Sequence, residues 1–128
     1  MLRTGILNPH VLDLLARIRH TNTLVIADRG FPFWPQIETV DISLVDDVPT
    51  VPQVLAAIKA NFVIGPVWAA EEFKTHNSPD KVAALRALAG DQLNFEPHVE
   101  FKKRVPRAIG LIRTGDTTPY ANLIIESA

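Results

Sequence analysis

Six polar side chains in this chain are of types that could grip and protonate a small polar ligand, and they fall into three pairs. His20 and Asp28 flank an apolar run, Thr23-Leu24-Val25-Ile26-Ala27, that reads as a buried strand. Asp28 falls at the carboxyl end of that strand, where ligands gather in open α/β sheets. His20 falls at the opposite end, so it meets the surroundings of Asp28 only across a chain boundary. Each has a plainer role: a cation easing a helix end for His20, a turn carboxylate bonding nearby backbone for Asp28.

His98 and Lys102 lie four apart after Pro97, a spacing that puts both on one face of a short helix with Phe101 beside them. An imidazole and an ammonium are poor partners for each other but a good grip on a hydroxyl-rich ligand. The run Lys102-Lys103-Arg104 also reads as a solvated face. Tyr120 and Asn122 flank Ala121 directly after Thr114–Pro119 (TGDTTP), and alternation along a strand would turn both side chains the same way. A flat ring with a hydroxyl, beside an amide that both donates and accepts, suits the face of a sugar. An edge pair bonding nearby backbone is the plainer alternative. Glu72 and His76 are also four apart, but one His–carboxylate pair is short of the three or four ligands zinc requires.

The elements that must position these groups are punctuated clearly. Asn8-Pro9 starts a helix whose apolar face is Val11, Leu14, Leu15 and Ile18, running to about His20. Arg29–Pro35 (RGFPFWP) is a loop too apolar to be fully solvated. Thr39–Leu44 alternates like a strand, and Thr50 caps a helix carrying Val51, Val54, Leu55 and Ile58. Phe62–Ala70 holds a strand-like run broken at Gly65-Pro66; Ser78-Pro79 opens a helix that Gly90 stops. A mixed segment follows Asp91. Pro97–Arg104 reads as a short helix, then Ala108–Arg113 and Ala121–Glu126 as strands around the TGDTTP turn. Alternating helices and apolar strands imply a single three-layer α/β/α sandwich domain over residues 1–128 with a largely parallel central sheet.

Composition narrows the function classes. With 128 residues, 47% apolar and 21% charged, the chain suits one globular core. A net charge of −1 gives no electrostatic reason to expect nucleic acid or an anionic membrane as partner. The absence of cysteine excludes disulfides and thiolate metal sites. Charged and turn residues interrupt MLRTGILNPHVLDLL, unlike a signal peptide, and no apolar run approaches the roughly 20 residues of a membrane span. A cytoplasmic protein is expected. The sequence contains no GxGxxG, Walker, GxSxG or CxxC motif, so nucleotide binding and acyl-enzyme chemistry lack support.

Taken in order, the segments become recognisable. GILNP, RIRHTNTLVIAD with its GFP-containing loop, VPTVPQVL, AAEEFKTHNSP and RTGDTTPYANLII resemble the D-ribose pyranase / fucose mutarotase family essentially end to end. The combination of H-T-x-T-L-V-x-x-D near the start with P-Y-A-N near the end carries the specificity. The resemblance implies an intramolecular isomerase that interconverts ring forms of a free monosaccharide without a cofactor. It implies His20 as proton donor and Asp28, His98, Lys102, Tyr120 and Asn122 as sugar contacts, with no metal. It also implies a homodecamer of two stacked pentamers, with sites at subunit boundaries.

Arg29 replaces the small residue common after the aspartate in ribose pyranases, and Phe33 and Trp34 enlarge the following loop. Gly30 and Ala121 stand where fucose mutarotases tend to carry a His and the Gly of Y-G-N. The sequence therefore sits on the ribose side. Two other readings stay open: a non-catalytic sugar-binding ring protein, and a mutarotase for another sugar, such as L-fucose or a phosphorylated sugar met by Arg29.

Overall fold

The computed structural model describes Met1 and residues 5–128; the leading residues 2–4 of the N-terminal reading lie outside the described residues. Six strands form one sheet: β1 (Thr23–Ala27), β2 (Glu38–Asp41), β3 (Ile64–Ala70), β4 (Leu93–Glu96), β5 (Gly110–Arg113) and β6 (Leu123–Ser127). Their order across the sheet is β2-β5-β1-β6-β3-β4. β2, β5 and β1 pair in parallel, as do β3 and β4, while β6 runs antiparallel to both of its neighbours. Five strands thus point one way and β6 returns.

The return of β6 follows from the connection before it. Residues 114–122 are too few for a helical crossover, so the chain can only arch over the end of β1 and come back antiparallel. Thr114 N donates to Ala27 O at 2.9 Å and Arg29 N to Asp116 O at 3.0 Å along that arch. Gly115 is required there, because a Cβ would collide with the carbonyl of Val45. Asp116 is buried beneath the arch, where its carboxylate accepts from Val51 N and Thr118 N at 2.8 Å each.

Helices cover both faces: α1 (Pro9–Arg17), α2 (Val51–Lys59), α3 (Glu71–His76), α4 (Pro79–Ala89) and α5 (His98–Arg104), the last continued by a 3-10 turn over Val105–Arg107. Leu24 and Ile26 of β1 pack in one core with Leu14, Leu55, Ile58 and Leu85. Val25 and Ala27 pack on the other face with Phe31, Phe101 and Val105, against which Trp34 leans. That alternation fixes the three layers. Phe101 is wholly buried, and its truncation to Ala would cost about 3–5 kcal/mol. Among the described residues, no helix is long and apolar enough to cross a membrane.

Several expected boundaries move. α1 ends at Arg17, short of His20: Ile18 is already extended, and Asn22 bonds the backbone of Arg19 through both its side chain and its amide, closing a turn. The second strand stops at Asp41, three residues short of the expected Leu44. Gly65-Pro66 does not break β3; the chain stays extended and its pairing with β6 shifts register between Ile64 and Val67. β4 lies within the mixed segment after Asp91.

Candidate functional site

Because β1, β3, β4 and β5 share a direction and β6 opposes them, their carboxyl ends and the entry to β6 converge at one end of the sheet. Asp28, Glu72, His98 and the Tyr120–Asn122 segment all sit there. Asp28 follows β1 directly. Its amide donates to Asn122 Oδ1 at 2.7 Å, and its own Oδ1 accepts from Gly30 N at 3.0 Å. Burial raises the pKa of the Asp28 carboxyl, an effect opposed by the backbone amides of Gly30 and Phe31 and by Asn122. Arg113 steadies the loop, donating to the carbonyls of Asp28, Arg29 and Pro32 at 3.3 Å each.

His98 opens α5. Pro97 offers no side-chain cap, and Glu72 of α3 substitutes for one: His98 N donates to its two carboxylate oxygens at 3.0 and 3.1 Å. The imidazole lies among aromatic rings, with centroids 5.1 Å from Tyr120, 5.9 Å from Phe101 and 6.2 Å from Phe31. Its Nε2 is buried and finds no hydrogen-bond partner among the described residues. Desolvation lowers the His98 pKa and nearby Lys102 lowers it further, while Glu72 and Asp28 pull it upward. Lys102 is half-buried one turn along the same helix. His98 and Lys102, one turn apart, offer a pairing that can accept from one ligand hydroxyl and donate to another.

Tyr120 and Asn122 reach this cluster by a different route from simple alternation. β6 begins only at Leu123, and Tyr120 adopts a left-handed backbone, φ 55°. Asn122 is buried and turns to Asp28; the Tyr120 ring stands edge-on to His98 and 4.9 Å from His76. By sequence Glu72 and His76 amount only to an incomplete metal pair. Their four-residue spacing was the available signal, and the structure turns one to His98 and the other to Tyr120. Among the described residues, no group of three His, Cys, Asp or Glu side chains could hold a metal ion.

Five of the six expected residues thus come together, and His20 does not. It is exposed in the turn before β1, where Thr21 N bonds Ser127 O at the far end of β6. The five residues of β1 span roughly 16 Å, several times the reach of a histidine. Arg29 is paired with Asp46 at 2.7 Å, and Trp34 stacks on Phe31 at 6.2 Å. Of the two aromatic residues that enlarge the loop, Trp34 therefore packs on the second core and Phe33 stays exposed.

A mixed, mostly parallel sheet with polar side chains able to bond hydroxyls gathered at its carboxyl ends defines an α/β protein with a candidate small-ligand site at that end. More specifically, the chain belongs to the RbsD / FucU transport protein family, whose model matches residues 1–128. It is 41% identical over 128 residues to the D-ribose pyranase of Geobacillus kaustophilus, covering 99% of this chain and 93% of that one. The D-ribose pyranase of Bacillus licheniformis is 39% identical, with coverages of 99% and 97%. The structure of Bacillus subtilis RbsD complexed with D-ribose superposes with a TM-score of 0.92 at 35% identity, covering 100% of this chain and 98% of that one. A fucose mutarotase from Streptococcus pneumoniae, solved with L-fucose, shares the fold at a TM-score of 0.79 and 19% identity, over 94% and 92% of the two chains.

Proposed function

We propose that this chain is one ribose-pyranase-like domain that interconverts the pyranose and furanose forms of D-ribose in the cytoplasm. The observation that carries the reading is full-length similarity to proteins named D-ribose pyranase, near 40% identity. The cluster of Asp28, His98, Lys102, Tyr120 and Asn122 supplies the matching chemistry. Together they offer a carboxylate, an imidazole, an ammonium, a phenol and an amide to a ligand that is mostly hydroxyl groups.

The reaction asks little beyond proton transfer. A proton reaches the ring oxygen as another leaves the anomeric hydroxyl; the bond from the anomeric carbon to the ring oxygen breaks and an aldehyde forms. A different hydroxyl then adds to that carbon and the protons return, so no net charge or oxidation change results. General acid–base help of this kind supplies about 10²–10⁴-fold. His20 is the proton donor in this scheme, with no metal or cofactor required. Since β1 separates it from Asp28, the donor comes from a neighbouring copy in a homo-oligomer, a ring assembly in the manner of the family's decamers. Phe33, Leu44, Val45 and Val48 are exposed apolar side chains on the loops beside the Arg29–Asp46 pair, as a subunit contact would require.

Magnetisation-exchange NMR on equilibrated D-ribose tests the function. Faster pyranose–furanose exchange with protein is expected. Bound sugar with an unchanged exchange rate would establish a binding protein instead.

A further inference from the structure

Helix α3 carries no residue of the expected site, yet it touches that site at three points. Glu72 holds the amide of His98, as described above. One turn later His76 lays its ring 4.9 Å from Tyr120, while its Nδ1 lies 2.9 Å from Glu72 O and 3.0 Å from Thr75 Oγ1. Asn77, which ends the helix, donates through Nδ2 to the carbonyls of Phe73 and Pro119 at 2.9 Å each. The peptide it grips at Pro119 is the one that enters Tyr120.

These contacts act on two groups that local sequence leaves loose. His98 starts a seven-residue helix behind a proline with no capping side chain. Tyr120 occupies a left-handed backbone conformation that a bulky residue holds only when its surroundings impose it. Phe73 meanwhile anchors α3 in the core, so the bracket is fixed to the sheet. We infer that Glu72 and His76 are positioning residues that set the distance between the His98 imidazole and the Tyr120 ring, and through it the grip on the sugar. This rests on the isomerase reading proposed above.

Steady-state exchange kinetics on the full-length protein with D-ribose separate the inference from a merely structural role. Both Glu72→Ala and His76→Ala should raise KM about three- to tenfold with kcat nearly unchanged, the pattern of lost uniform binding. His76→Phe retains a ring and Glu72→Gln retains an acceptor, so each should recover most of the lost affinity. Tyr120 is the one tyrosine of the chain, so its ring signals are unambiguous in NMR. They should move in His76→Ala and stay near their wild-type positions in His76→Phe. Alanine variants with wild-type KM and unmoved Tyr120 signals would overturn the inference. A wild-type protein that fails to speed ribose exchange would instead sink the isomerase reading, and the Tyr120 signals would still decide whether His76 sets that ring.

Discussion

The amide of Asp28 and the side-chain oxygen of Asn122 meet at 2.7 Å although 94 positions separate them. The bond ties the end of β1 to the start of β6, so the two segments proposed to face the sugar are registered by one contact. Asn122 is 3% exposed, and water cannot readily replace it. Asn122→Ala should therefore cost about 1–3 kcal/mol of stability as well as ribose affinity. Denaturant unfolding together with a ribose titration measures both. Loss of affinity at full stability would mean that the bond does not support the fold.

Asp28 should make the protein less stable as pH rises. Burial raises its folded pKa above the unfolded value of about 3.9, so its contribution is fully present below that value and is lost as pH climbs through the folded one. Asp47, held down by the amide and hydroxyl of Thr117, acts oppositely, its contribution being lost as pH falls. Comparing wild type with Asp28→Asn isolates the first effect. The variant should gain on wild type in melting temperature as pH rises above about 3.9. A parallel pair of melting curves would refute a desolvated Asp28.

The His98 imidazole should titrate below its ordinary range of about 6.5. Its depressed value means a contribution that is present above that range and lost as pH falls through the folded pKa. Lys102 presses from its own helix, Glu72 from α3 and Asp28 from the end of β1. Lys102→Met should raise the His98 pKa and Glu72→Gln should lower it further. Histidine ring titration by NMR reads both, and shifts of the opposite sign would overturn the charge arrangement.

Much of this site was legible as residue types and little of it as geometry. Asp28 could be placed because an apolar β-branched run ends there, and His98 with Lys102 because proline starts a helix on which the two are four residues apart. β4 is hard to read from sequence because LNFE is four residues at the sheet edge, and its exposed Asn94 blurs the pattern. α3 follows β3 without a capping side chain, so no punctuation announced Glu72 and His76 as neighbours of the site. The left-handed turn at Tyr120 is likewise silent, since tyrosine is an improbable residue to adopt it. Local periodicity reports a helix or strand; it does not report what a fold brings against its end.

The proposed assembly rests on the separation of His20 from Asp28 along β1. If His20 is the proton donor, a single chain does not close the site, so the protein should be oligomeric wherever it is active, and light scattering should return a mass several times 14.2 kDa. A fully active monomer would end the proposal that a neighbour supplies His20.

The last prediction tests that sharing directly. His20→Ala removes the proposed proton donor and leaves the Asp28–Asn122 contact intact, so it should abolish most of the rate while ribose binding changes little. The plainer role, a cation near the end of α1, forecasts at most about 0.3–1 kcal/mol of lost stability and a normal rate. Asn122→Ala damages the other half of the site. If each site takes His20 from one copy and Asn122 from another, co-refolding the two impaired variants in equal amounts rebuilds intact sites. Random mixing places an intact His20 against an intact Asn122 in about a quarter of them, in keeping with a repeated heterologous contact. Activity should then return to roughly that fraction of wild type. Were both residues used from the same copy, every site in the mixture would carry one lesion and mixing would restore nothing.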